Sequence, residues 1–149
     1  MYVVLLSLHN LMRWVVLALA LWALLRAWSG WLGRRAWTPA DRQAGLLLSV
    51  GLDVQLLLGL ILVFVSPLIQ AALADLGAAM AVDELRFFIV EHAPLMLVAV
   101  FLAHISSVAV RKAADDAGRQ RRAALWISLT VLALVVAIPW WRPLLRLFS

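Results

Sequence analysis

A chain of 149 residues that is 66% hydrophobic and 14% charged is far from a soluble domain, whose typical shares are roughly 45–50% and 25%. So small a soluble domain has too little polar surface to cover that much apolar surface, and the same composition excludes a disordered chain. Cysteine is absent, which excludes disulfides, thiolate metal sites, a nucleophilic Cys and C-x-x-C-H haem attachment. The formal charge of +5 comes from twelve Arg and one Lys against eight acids; in a membrane chain such an excess reports topology rather than nucleic-acid binding.

Apolar runs near 20 residues are long enough to cross about 30 Å of hydrocarbon as helices. Four are predicted, over 2–28, 44–65, 85–110 and 123–141, in what reads as a single transmembrane unit over 1–149. The runs are Leu/Ala-rich and do not alternate, so helices are expected and a barrel is not. The expected fold is all-α, a polytopic four-helix bundle. The first connection carries Arg26, Arg34, Arg35 and Arg42, and the third Arg111, Lys112, Arg119, Arg121 and Arg122. The second has Asp75, Asp83 and Glu84 but no base. The positive-inside rule then puts the first and third connections in the cytoplasm and both termini outside. Trp28, Trp31, Trp37 and Trp126 fall at the inner interface, and Trp140 and Trp141 at the outer one. Arg13 interrupts the first apolar run, and no basic segment precedes it, so a cleaved signal peptide is not expected. Ser66-Pro67 reads as a helix start. Ile69, Leu73, Leu76 and Met80 then recur at helical spacing, which predicts a short amphipathic helix lying on the outer surface.

Ionisable residues inside a span are costly and direct attention to function. The first span holds His9, Asn10 and Arg13, the second Asp53 and Gln55, and the third Glu91, His92 and His104, whereas the fourth offers only Ser128 and Thr130 and reads as packing. His9 follows Tyr2, and His92 follows Leu85, by the same number of residues. Both histidines therefore lie roughly 10 Å below the outer end. Ala99, Ala103 and Ser106 share the face of His92, and Arg13, Val16, Ala20 and Ala23 share that of His9. Small residues on both faces suit either a flat macrocycle or close helix approach. Gly51, Gln55 and Gly59 form a small face on the second span, with Asp53 pointing nearly the opposite way. His104 and Asp53 lie at similar depth toward the inner leaflet.

Several readings stay open at these positions. His9 and His92 are candidate axial ligands of one haem b iron, ligands of another cofactor or metal, or two satisfied buried histidines. Arg13 is a candidate propionate partner, although an ion pair with Glu91 or Asp53 is favoured. Arg86 and Arg142 are better placed in depth for propionates, or are interface charges that snorkel. His104 is a candidate second haem site or half of an Asp53–His104 pair. Pro94 is expected to kink the third span or to loosen its backbone bonds near His92. No nucleotide, hydrolase or zinc-protease motif occurs.

His9-Asn10-Leu11-Met12-Arg13-Trp14, Gln55 with Gly59, Arg86-Phe87-Phe88, Glu91-His92-Ala93-Pro94 and Pro139-Trp140-Trp141 together resemble small bacterial four-helix cytochrome b-like integral membrane proteins. The resemblance spans nearly the whole chain and implies b-type haem, one per chain, held by His9 and His92 in a bacterial inner membrane. With three histidines, and Asp53 where a second-span ligand would stand, a complete diheme arrangement is not expected. The expected function is electron transfer with a quinol or an extracytoplasmic partner, so that a quinol-linked oxidoreductase is one candidate. The alternatives are a non-catalytic accessory subunit of a respiratory or photosynthetic complex, and a small ion- or proton-handling transporter. The expected partners are the lipid bilayer, a quinone, and a larger redox complex or a second copy.

Overall fold

A segment rich in Leu, Ala and Val and free of proline lets the first helix, α1, run over Tyr2–Leu32. In the computed structural model, which describes residues 1–142, it ends in a Schellman turn. Arg34 takes a left-handed φ of 49°, and Arg35 N–H and Arg34 N–H donate to the Gly30 and Trp31 carbonyls at 2.9 and 3.3 Å. Pro39 opens α2, Pro39–Val65, where its missing N–H costs nothing. Three short helices follow, α3 (Pro67–Ala74), α4 (Leu76–Met80) and α5 (Asp83–Arg86), then a π-helical turn over Phe87–His92, α6 (Ala93–Arg111) and α7 (Asp116–Ala137). Four helical segments, Tyr2–Leu32, Pro39–Val65, Asp83–Arg111 and Asp116–Ala137, are long and apolar enough to span a membrane. The protein is therefore an all-α, four-span membrane bundle.

The element limits differ from expectation where polar chemistry intervenes. All four spans run past their apolar limits into the connections at one end or both. The fourth stops at Ala137, because Pro139 holds Ile138 in an extended conformation (φ −77°, ψ 129°). The outer amphipathic segment is two helices rather than one. Ser66 caps α3 by accepting from the Ile69 N–H, but Asp75 leaves helical geometry and caps α4 by accepting from the Ala78 N–H at 2.9 Å. Pro94 falls where the backbone bonding of the third span changes from π-helical to α-helical, next to His92. It sits in the first turn of α6, directly after the π-helical turn that absorbs its missing hydrogen bond. The C-terminal end, expected outside, lies beyond the described residues.

The helices pack as a four-sided bundle, α1 against α2 and α7, and α6 against α7 and α2. Its core is built from small side chains: Ala20, Ala23 and Ala27 on α1, Ala99 and Ala103 on α6, and Ala123 and Ala124 on α7, with Leu48 and Leu52 from α2 between them. In lipid, helices associate through such close packing, since a hydrocarbon solvent gives no hydrophobic drive. α7 is the most enclosed of the four spans, in keeping with a packing role. Trp28 ties it to α1 by donating to Ser128 Oγ at 2.9 Å.

At the end where α1 meets α2, Asp41 anchors a buried polar cluster. Its carboxylate accepts from Arg26 Nε at 2.8 Å, from Arg35 at 2.9 and 3.0 Å, from the Thr38 N–H and hydroxyl at 2.8 and 2.7 Å, and from the Gln120 amide of α7 at 3.3 Å. Gln120 is fully buried and lies over Gly30, where a Cβ would come within 2.3 Å of its amide. Glycine at 30 therefore lets α1 and α7 close around the cluster. Asp41→Ala strands these donors and is expected to cost about 1–3 kcal/mol, read as a lower thermal unfolding midpoint in detergent.

Candidate functional site

At the opposite end of the bundle, α1, α2, α6 and the end of α7 splay around an internal cavity of about 230 Å³ under α3. Its walls are mainly Leu, Val and Ile. The polar side chains that line it are Tyr2, His9, Asn10 and Arg13 from α1, Gln55 from α2, Ser66 at the start of α3, His92 from the π-helical turn, and Arg142.

Helical spacing explains the convergence. Arg13, Val16, Ala20 and Ala23 are buried along one face of α1, and Ala99, Ala103 and Ser106 along one face of α6. His9 and His92 top these two faces, and their rings meet edge to face, with centroids 6.3 Å apart. Gly59 makes room for His9, since a Cβ there would sit 3.4 Å from the ring. One turn earlier, Gln55 donates to the His9 carbonyl at 3.1 Å. His92 Nδ1 lies 2.8 Å from the Ala137 carbonyl, so that nitrogen carries the proton and donates. Phe87 and Phe88 pack on the His92 ring, with centroids 6.1 and 5.7 Å away.

The haem expectation is overturned. Among the described residues, no group of three or more His, Cys, Asp or Glu side chains could hold a metal ion. His92 Nδ1 is taken by the Ala137 carbonyl, and the His9 ring packs edge to face directly against His92, itself flanked by aromatic rings. The two imidazoles do not fit as axial ligands of a haem b iron, and the resemblance to cytochrome b-like proteins does not carry over. His104 is no second iron ligand either, because its Nε2 lies 2.9 Å from Asp53 Oδ1. Electron transfer through haem is therefore not the function of this site, and the cytochrome, iron and metal-binding expectations fall with it.

The expected propionate partners are engaged elsewhere. Arg142 Nε donates to Glu84 at 2.7 Å, and its guanidinium stacks over Phe88 at 4.5 Å. Arg86 pairs with Asp83 at 3.0 Å and, more loosely, with Glu91 at 3.6 Å. Of the two acids expected near Arg13, Glu91 lies at the end of the π-helical turn in contact with Arg86, and Asp53 is paired with His104. Arg13 lies buried in the cavity wall, 6.0 Å from the Trp14 ring.

Sequence reasoning missed Asp41 and Gln120. Asp41 was legible in one respect, since Thr-Pro-Ala-Asp has the spacing of a helix start whose third residue reaches back to the cap. Gln120 gave no signal, because its partners lie on α1 and α2. Compared with known families, curated proteins and solved structures, the chain matches none.

Gly59 offers a direct check on the geometry. Gly59→Ile drives a branched side chain into His9 and is expected to destabilise the bundle by about 1–3 kcal/mol. Gly45→Ala, with nothing within 4 Å of its new methyl group, is expected to raise stability by up to about 1 kcal/mol through helix propensity. Thermal unfolding of both variants in the same detergent measures the contrast.

Proposed function

We propose that the chain is a non-catalytic accessory subunit of a larger membrane complex, seated in a bacterial inner membrane with its basic connections in the cytoplasm. One observation carries the reading: the Asp53–His104 pair bridges α2 and α6 on the outside of the bundle. The two groups are 2.9 Å apart, with side chains 48% and 52% exposed. Asp53 lies about 20 Å from the start of α2 and about 18 Å from its end, and His104 about 10 Å from the end of α6. Both are therefore at hydrocarbon depth, where a half-exposed ionisable pair faced by acyl chains is strongly disfavoured. A second protein surface relieves that cost.

The occupant this seam suits is a membrane-spanning helix of another subunit, bringing a Ser, Thr, Asn or Gln side chain to the level of the pair. The remaining acceptor of Asp53 and the edge of His104 supply its hydrogen bonds. A transporter reading receives less support. Asp53 and His104 sit on the lipid side of the α2–α6 seam, while His9, Arg13 and Gln55 turn inward to the cavity, so the polar groups divide between two faces and form no single path.

Purification in mild detergent from the native membrane tests the reading. The wild-type chain is expected to run on a native gel in an assembly larger than itself and to co-purify with another integral membrane protein. Asp53→Leu with His104→Leu is expected to release it as a folded monomer. If the wild-type chain is recovered only as a monomer or as a dimer of itself, the accessory reading is wrong.

A further inference from the structure

The cavity contains an unmet hydrogen-bonding demand. His9 Nδ1 and Gln55 Oε1 are both buried and have no partner among the described residues. They belong to one level of the site, because the Gln55 amide nitrogen already reaches the His9 carbonyl and Gly59 receives the His9 ring one turn further on. Gln55 Oε1 can only accept. A ligand bearing carbonyls alone would leave it unsatisfied, whereas a hydroxyl both donates and accepts and so answers Gln55 and His9 together. Apart from these two and the other polar side chains that reach it (Tyr2, Asn10, Arg13, Ser66, His92 and Arg142), the cavity is lined mainly by Leu, Val and Ile, with the Tyr2 ring and with Phe88 beside His92 as aromatic surfaces. That wall favours a ring over a bare chain.

The route of entry is also visible. Leu60 and Leu97 both line the cavity and are 48% and 53% exposed. Each lies seven residues from a member of the outer pair, Leu60 from Asp53 and Leu97 from His104, which places it on the same helix face two turns away. The cavity therefore opens sideways, between α2 and α6, to the acyl chains.

We infer that this cavity is a binding site for the head group of a lipid-soluble quinol. A ring hydroxyl sits between Gln55 Oε1 and His9 Nδ1, and the isoprenoid tail leaves past Leu60 and Leu97 into the bilayer. The inference concerns binding alone, with no electron transferred. It is independent of the accessory reading, since it is measured on the isolated chain.

The test titrates decylubiquinol, kept reduced under argon, into the purified chain in phosphatidylcholine nanodiscs. Saturable binding of one molecule per chain is expected. Gln55→Leu and His9→Phe are each expected to weaken it at least tenfold while the circular dichroism of the bundle is retained. Leu132→Ala, on the exposed face of α7, should bind as the wild type does, and 1-decanol, which has the hydroxyl without the ring, should compete poorly. Should His9→Phe fail to fold, Gln55→Leu decides alone. Three results would each overturn the inference: no saturable binding by the folded wild-type chain, undiminished binding by Gln55→Leu, or displacement by decanol as effective as by the quinol.

Discussion

Hydrocarbon solvates no polar group, and that constraint orders the whole molecule. Each helix satisfies its own backbone, so the few polar side chains determine where the helices meet and what is left over. Asp41 gathers Arg26, Arg35, Thr38 and Gln120 at one end and is fully satisfied there. At the other end Glu84, Asp83 and Glu91 take up Arg142 and Arg86. Between these two tied ends the bundle closes on alanine.

Two polar groupings among the described residues bear on function, and they differ in kind. The Asp53–His104 pair is internally matched but faces outward, so its need is for a cover that excludes lipid. His9 Nδ1 and Gln55 Oε1 face inward to a small cavity, so their need is for a hydrogen-bonding group small enough to enter. The first condition suits a protein surface and the second a small molecule. Neither calls for redox chemistry at a metal.

The four spans, and the level and phase of His9 and His92, were legible in the sequence because helical rise and periodicity are local properties. The buried stripes through Val16, Ala20 and Ala23 and through Ala99, Ala103 and Ser106 follow from the same arithmetic. What two facing imidazoles do was not legible. It depends on the Ala137 carbonyl and on Phe87 and Phe88, none of which histidine spacing reveals. The contact of Glu91 with Arg86 was not legible either, because the segment between them is π-helical and α-helical counting does not bring them together. The Asp41–Gln120 contact joins residues far apart in sequence, and no periodicity encodes it.

The opening flanked by Leu60 and Leu97 lies along the same groove as Asp53 and His104, two helical turns away. A neighbouring subunit lodged in that groove would act as a stopper over the doorway. Loading would then have to come before assembly, and whatever occupies the chamber would be trapped for the lifetime of the complex, as a built-in component rather than a passing guest.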